Sequence, residues 1–203
     1  MSHLPLTGLT AATHTPFHAD GSLNLAVVEQ QAEHLLANGV TTVFIGGSTG
    51  ESHSLSLNER LALAQQWFEV ARGSALRVVV HVGTNCLADA KVLASQAQQL
   101  RATAISALAP SYFKPRSVEQ LVACAAEIAA AAPETPFYFY DILVLTGVSL
   151  SMPDFLEQAR HRSVATNFCW PLWPSVPKGP SAAASTSRLR SITASSWRSI
   201  AAT

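Results

Sequence analysis

Two hydroxyl side chains, Ser48 and Thr49, lie within the glycine-rich segment 46–51 (GGSTGE). The glycines leave neighbouring backbone N–H groups open, so N–H and hydroxyl donors together suit a carboxylate or another small anion. The segment follows the second apolar run of the chain and lacks the GxGxxG spacing of a dinucleotide-binding loop. On spacing alone, an anion receptor and a tight structural turn are both open.

Tyrosines supply the next candidate chemistry. Tyr138 and Tyr140 are two residues apart in an apolar run, so they share one face of a strand. A phenol near the carboxyl end of a buried strand can relay a proton, and the alternative is a core tyrosine with a satisfied hydroxyl. Tyr112 follows the fourth apolar run, so it too belongs at the carboxyl-terminal ends of the strands.

Other common types of site are not indicated. The seven histidines show no HxH or HExxH spacing, so we predict no metal site. Ser52, His53 and Ser54 are adjacent, but no GxSxG elbow accompanies them, and we predict no acyl-transfer site.

These residues must be positioned by alternating strands and helices. Five short apolar runs alternate with five segments of helical periodicity, which is typical of βα units around a parallel sheet. An open doubly wound sheet and the start of an eight-unit barrel both fit the alternation. The predicted strands cover 8–15, 41–46, 77–83, 104–109 and 137–142, and the predicted helices cover 25–38, 56–72, 88–100, 117–131 and 152–160.

Composition narrows the class of protein. The 203 residues are 48% hydrophobic and 13% charged with a net charge of zero, so a core is expected and a nucleic-acid partner is not. No apolar run reaches the roughly 18 residues of a membrane span, and no basic and apolar leader or CxxC pair is present, so we expect a cytoplasmic protein without membrane contact. Residues 163–203 differ, with no acidic residue and four basic ones, and we expect an irregular or disordered tail there.

Five segments carry a resemblance to a known family: 8–17 (GLTAATHTPF), 46–51 (GGSTGE), 81–83 (HVG), 109–115 (APSYFKP) and 130–148 (AAAPETPFYFYDILVLTGV). In this order they resemble the N-acetylneuraminate lyases, in the class I aldolase superfamily that also contains dihydrodipicolinate synthase. The resemblance covers residues 6–162 and implies an α/β fold of the TIM (β/α)₈ barrel type. Only about the first five βα units are present, so residues 1–162 are expected to form a partial aldolase domain with an incomplete barrel.

The resemblance also implies roles for individual residues. Ser48 and Thr49 match the pair that holds the substrate carboxylate, Tyr140 the tyrosine that shuttles a proton, and Tyr112 a rim tyrosine that joins the proton relay across a subunit contact. The implied reaction is cleavage of N-acetylneuraminate to N-acetylmannosamine and pyruvate through a lysine Schiff base, without metal or organic cofactor, in a homotetramer. A dihydrodipicolinate synthase-like or other pyruvate-dependent aldolase, and a non-catalytic partner of intact subunits, are the alternatives.

The chain departs from the family at the nucleophile. The Schiff-base lysine belongs on strand six, but no lysine occurs between Lys114 and Lys178, and Lys178 lies between two prolines. Leu143 stands where the family tends to have proline. We therefore expect keto-acid binding at most, no lyase activity, and unpaired edges on both strand one and strand five.

The tail itself suggests a shifted reading frame. Permissible codons for residues 162–203 encode a different string when the last base of each codon is read with the first two bases of the next. That string contains FGGDE and GAVGS and resembles the later part of the family. We interpret residues 163–203 as an out-of-frame tail.

Overall fold

The computed structural model describes residues 6, 8–161 and 166–169. Strands and helices alternate along this part of the chain. The strands are β1 (Thr10–Ala12), β2 (Thr42–Ile45), β3 (Arg77–His81), β4 (Ala104–Ala107), β5 (Phe137–Tyr140) and β6 (Thr166–Cys169). The helices are α1 (Val27–Ala37), α2 (Leu57–Ala71), α3 (Leu87–Gln99), α4 (Val118–Ala130), the short α5 (Leu143–Thr146) and α6 (Met152–His161).

The six strands form one parallel sheet in the order β1-β2-β3-β4-β5-β6. Each strand pairs in parallel with the next strand along the chain, as expected for consecutive βα units of a barrel and not for a doubly wound sheet, in which the order reverses. The α/β fold with an incomplete barrel is therefore confirmed. Within the described residues β1 and β6 each have one neighbour, so the barrel is open.

The expectation that β5 has an unpaired edge is wrong. Tyr138 pairs with Asn167 and Tyr140 with Cys169, which places β6 along the edge of β5. Residues 163–203 are thus not irregular throughout, because 166–169 continue the parallel ladder. The rest of the expected tail, 163–165 and 170–203, lies outside the described residues.

The two faces of the sheet are covered differently. Outward residues such as Val43 and Ile105 join the main core, which helices complete with large buried side chains such as Trp67 and Phe155. On the inner face Val79, Ala104 and Tyr138 form a smaller cluster. This small inner core leaves the carboxyl ends of the strands to polar and aromatic side chains.

Local signals set the helix ends. Ser56 and Glu59 form a reciprocal capping box at the start of α2, in which the Glu59 carboxylate accepts from the Ser56 N–H at 2.8 Å. Ser117 caps α4, but the Gln120 amide oxygen accepts from the Arg116 N–H and so does not complete a capping box. Each capped helix starts directly after the loop that carries a candidate site residue.

Candidate anion site at the carboxyl ends of the strands

The 46–51 loop leaves the end of β2 in a tightly constrained conformation. Gly46 has φ of 61° and Glu51 has φ of 56°, so both lie in the left-handed region, which is costly for glutamate. Inside the loop the Glu51 N–H donates to the Ser48 carbonyl at 3.1 Å. From β1's side the Thr15 hydroxyl donates to the Gly50 carbonyl at 2.7 Å. The loop is therefore fixed to the rim.

Ser48 and Thr49 occupy different environments in this loop. The Ser48 hydroxyl oxygen is buried and has no hydrogen-bond partner among the described residues, whereas Thr49 is exposed. Ser48 lines a cavity of about 430 Å³ with Ser111 and Thr146, which follow β4 and β5. A buried hydroxyl without a partner is costly, so the cavity suits a polar group that bonds to Ser48.

Tyr140 ends β5 within a set of three aromatic rings. Its ring meets Phe44 at 5.4 Å and His81 at 6.1 Å between centroids, both edge to face. Phe44 in turn lies under the loop, because a Cβ added at Gly47 would be 2.6 Å from the Phe44 ring. The three rings thus connect the predicted proton-transfer tyrosine with the predicted carboxylate loop.

A buried histidine at the end of β3 contacts the loop, and a buried arginine on α2 holds the backbone of that histidine. The Arg60 guanidinium donates to the carbonyls of His81, at 2.6 Å, and Gly83, at 2.9 Å. Burial lowers the pKa of Arg60 to about 10. Burial, and then the Arg60 charge, hold the pKa of His81 well below its usual value, so the imidazole is neutral at neutral pH.

Tyr112 lies apart from these residues on the rim. Its side chain is 77% exposed and its ring contacts that of Phe113, itself 87% exposed. The Asn85 side-chain oxygen accepts from the N–H groups of Ser111, at 2.8 Å, and Tyr112, at 3.0 Å. The structure therefore does not bring Tyr112 to Tyr140, but it fixes the backbone that carries Tyr112.

Tyr138 and Lys114 contact parts of the fold other than the 46–51 loop. The Tyr138 hydroxyl accepts from the Leu6 N–H at 3.3 Å, so this tyrosine is the core residue with a satisfied hydroxyl. The Lys114 ammonium group lies at Gly147, where an added Cβ would be 2.5 Å from Nζ. Strand β6, next to Tyr140, consists of Thr, Asn, Phe and Cys and contains no lysine.

Three supporting residues were not predicted from the sequence. The histidine spacing gives His81 no role in a site, and no motif marks Arg60 or Asn85. His81 does lie in the HVG segment at the end of a predicted strand, which was a usable signal, but single loop and helix residues such as Asn85 and Arg60 carry no periodic pattern.

Neither a metal-binding cluster nor a membrane-spanning helix is found in the described part of the chain. No group of three or more His, Cys, Asp or Glu side chains there could hold a metal ion. No helix among the same residues is both long and apolar enough to cross a membrane.

Comparison with known proteins identifies clear relatives. The model of the dihydrodipicolinate synthetase family matches residues 5–165. The chain is 42% identical to N-acetylneuraminate lyase A of Xenopus laevis over 156 residues, which are 76% of this chain and 51% of that protein. The chain therefore spans about half the length of the curated relatives it matches.

Solved structures show the same similarity. An N-acetylneuraminate lyase from Proteus mirabilis superposes with a TM-score of 0.77 at 39% identity, covering 80% of this chain and 55% of that one. A dihydrodipicolinate synthase superposes with a TM-score of 0.70 at 27% identity, covering 77% and 52%. The expected resemblance is confirmed, and so is the partial TIM-barrel fold.

Proposed function

Because the chain belongs to the dihydrodipicolinate synthetase family, we propose that its 46–51 loop binds the carboxylate of a small 2-keto acid such as pyruvate. The supporting observation is Ser48, which lines a cavity of about 430 Å³ and whose buried hydroxyl lacks a partner among the described residues. In this proposal Ser48 and Thr49 donate to the carboxylate, and Tyr140 stands where intact relatives have the proton-transfer tyrosine.

The substrate branch of the proposal is that of N-acetylneuraminate lyase, a carbon-carbon lyase of sialic acid catabolism. The higher identity to those lyases than to the dihydrodipicolinate synthase supports this branch. A dihydrodipicolinate synthase-like or other pyruvate-dependent aldolase is the enzymatic alternative.

We propose further that this chain binds keto acid without cleaving sialic acid. Schiff-base catalysis requires an amine that attacks the keto carbon, with loss of water, to form an imine. Neither β6 nor any position between Lys114 and Lys178 supplies that amine. With no imine, Tyr140 has no covalent intermediate to which it could transfer a proton.

A pyruvate titration of the ¹⁵N-labelled chain tests the binding. We expect pyruvate to shift the amide signals of residues 46–51 and Ser48→Ala to weaken the binding about tenfold, the usual order for one hydrogen bond to a charged group. Thr42→Val is the matched control, since Thr42 also has a buried hydroxyl without a partner but stands at the start of β2. Unchanged binding in Ser48→Ala would refute the proposed role of the loop.

Borohydride trapping tests the absence of covalent chemistry. Borohydride reduces an imine between pyruvate and lysine to a stable adduct, and we expect none on this chain, whereas an intact N-acetylneuraminate lyase is expected to be labelled. A stoichiometric adduct on Lys178 or Lys114 would overturn the proposal of inactivity.

A specific surface favours a second candidate function, as a non-catalytic partner of intact subunits. Tyr112 and Phe113 are largely exposed, as are the α5 residues Leu143, Val144 and Leu145, so apolar groups accumulate on the rim. Family tetramers are the expected assembly, and Tyr112 is the residue predicted to cross a subunit contact. Co-expression with an intact relative tests this function: co-purification supports it and separate elution opposes it.

We also propose that residues 1–162 form the aldolase domain and that 163–203 are read out of frame. The end of the family match at residue 165, three residues past this boundary, supports it in the sequence, whereas residues 166–169 still pair with β5. Sequencing the transcript across codons 155–203 is the test. A shifted frame that does not encode the FGGDE and GAVGS string would refute the frame shift.

A further inference from the structure

His81 ends β3 beneath the 46–51 loop and is 1% exposed. Its ring contacts Phe44, at 5.9 Å between centroids, as well as Tyr140. Its Nδ1 lies 2.9 Å from the Gly46 carbonyl oxygen. One side chain thus touches the loop, the Phe44 ring beneath it and the Tyr140 ring.

The Gly46 contact determines which ring nitrogen carries the proton. A carbonyl oxygen only accepts, so Nδ1 must donate, and in a neutral imidazole Nε2 is then unprotonated. Arg60 Nη2 also lies 3.4 Å from Nδ1 and can only donate, so this contact opposes a protonated Nδ1. The Gly46 contact is shorter, at 2.9 Å, and Nη2 already donates to the His81 carbonyl at 2.6 Å, so the Gly46 bond decides the tautomer. Nε2 is buried and has no partner among the described residues, so its position is set by the Nδ1 bond and by packing.

The bond to Gly46 controls the start of the loop. The peptide unit is planar, so the direction of the Gly46 carbonyl also sets that of the Gly47 N–H. Gly46 has a left-handed backbone that the loop must maintain. At the other end of the loop, Thr15 holds the Gly50 carbonyl. Ser48 and Thr49 lie between these two anchors.

We propose that His81 is a positioning residue whose Nδ1–H holds the 46–51 loop in the conformation that receives a keto-acid carboxylate. The inference rests on the proposed function for the identity of the ligand. Holding the loop itself is a property of the unliganded protein, so it can be measured separately.

Two substitutions separate the hydrogen bond from packing. In His81→Asn the side-chain amide nitrogen stands near the place of Nδ1 and can donate to Gly46, whereas His81→Leu fills space without a donor. Arg60 bonds to the backbone of residue 81, so neither change removes that contact. Thr42→Val, a buried change on β2 far from the loop, is the control for general loss of stability.

The readouts are the amide signals and hydrogen exchange of Ser48 and Thr49, the pyruvate affinity, and the unfolding midpoint. We expect His81→Leu to speed exchange at both amides and to weaken pyruvate binding about tenfold, and His81→Asn to stay within about twofold of the parent. His81→Leu with parent-like loop exchange, or His81→Asn as impaired as His81→Leu at equal unfolding midpoints, would overturn the proposal.

The imidazole ¹⁵N spectrum of the parent chain decides the case where His81→Leu fails to fold. A protonated Nδ1 and unprotonated Nε2 between pH 6 and 8 are expected, and the opposite tautomer would overturn the proposal. If the parent binds no pyruvate while the loop and tautomer results are as expected, the proposed function fails and the positioning role stands.

Discussion

Asn85 holds the backbone of the rim segment that carries Tyr112, and its removal should loosen that segment alone. The Asn85 side-chain oxygen accepts from the N–H groups of Ser111 and Tyr112 at 2.8 and 3.0 Å. A net hydrogen bond contributes about 0.5–1.5 kcal/mol, so Asn85→Ala should reduce the local opening free energy by about 1–3 kcal/mol. Because about 1.4 kcal/mol corresponds to a tenfold change, amide exchange should accelerate by roughly fivefold to 100-fold.

Native-state hydrogen exchange followed by NMR measures this effect at the two amides. Asn85→Asp is the control, since a carboxylate oxygen can accept the same two bonds and should preserve protection at both amides. The global unfolding free energy should change little, because Asn85 is exposed and its bonds lie in a loop. Parent-like exchange of Ser111 and Tyr112 in Asn85→Ala would show that the side chain does not hold the segment.

Three further predictions concern the core beneath the site. An unfolded histidine binds a proton near pH 6.5, whereas buried His81 does not, so the free energy of unfolding should fall by up to about 1.4 kcal/mol per pH unit below that pH. In His81→Asn the urea midpoint should depend less on pH in this range. An equal slope in the variant and the parent would contradict the prediction. Gly47→Ala places a Cβ 2.6 Å from the Phe44 ring and should destabilise the chain by about 1–3 kcal/mol, seen as a lower Tm, and an unchanged Tm would contradict this. Phe155→Ala should lower the free energy of unfolding in urea by about 3–5 kcal/mol because Phe155 is fully buried. The exposed control Val144→Ala should change it by no more than about 0.5 kcal/mol. Similar costs for the two variants would refute the packing argument.

Much of the fold could be predicted because the strands from β2 to β5 are largely buried on both faces. Such strands appear as short continuous apolar runs, and all five predicted runs contain a strand. The first run extends three residues past β1, into the polar segment 13–15. Other runs extend past their strands because apolar residues continue to pack after ladder pairing stops. For example, Val82 is fully buried but follows the last residue of β3.

Strand β6 could not be predicted for a different reason. Its four residues follow a helix, precede a segment rich in Trp and Pro, and show no sustained period. They pair with β5 because the edge of β5 has N–H and carbonyl groups that are open to another strand. This is tertiary context, which local pattern does not contain.

The residues of the candidate site also fall into two groups, those that the sequence predicts and those that only the structure reveals. Ser48 and Thr49 stand in a glycine-rich loop and Tyr140 at a strand end, so residue type and position were informative. His81, Arg60 and Asn85 act through backbone carbonyl and N–H groups of distant segments. Such contacts depend on how strands and helices are brought together, and sequence spacing does not encode them.

The order of the strands in the sheet matches their order in the chain, and this has a consequence for synthesis. A strand that leaves the ribosome finds its partner already made, and the helix between them is long enough to cover the new pair. No early strand waits for a distant late one within this sheet, so the entropic cost of closing each loop is confined to one βα unit. The sheet can therefore grow from its amino-terminal edge at the pace of translation, one unit at a time.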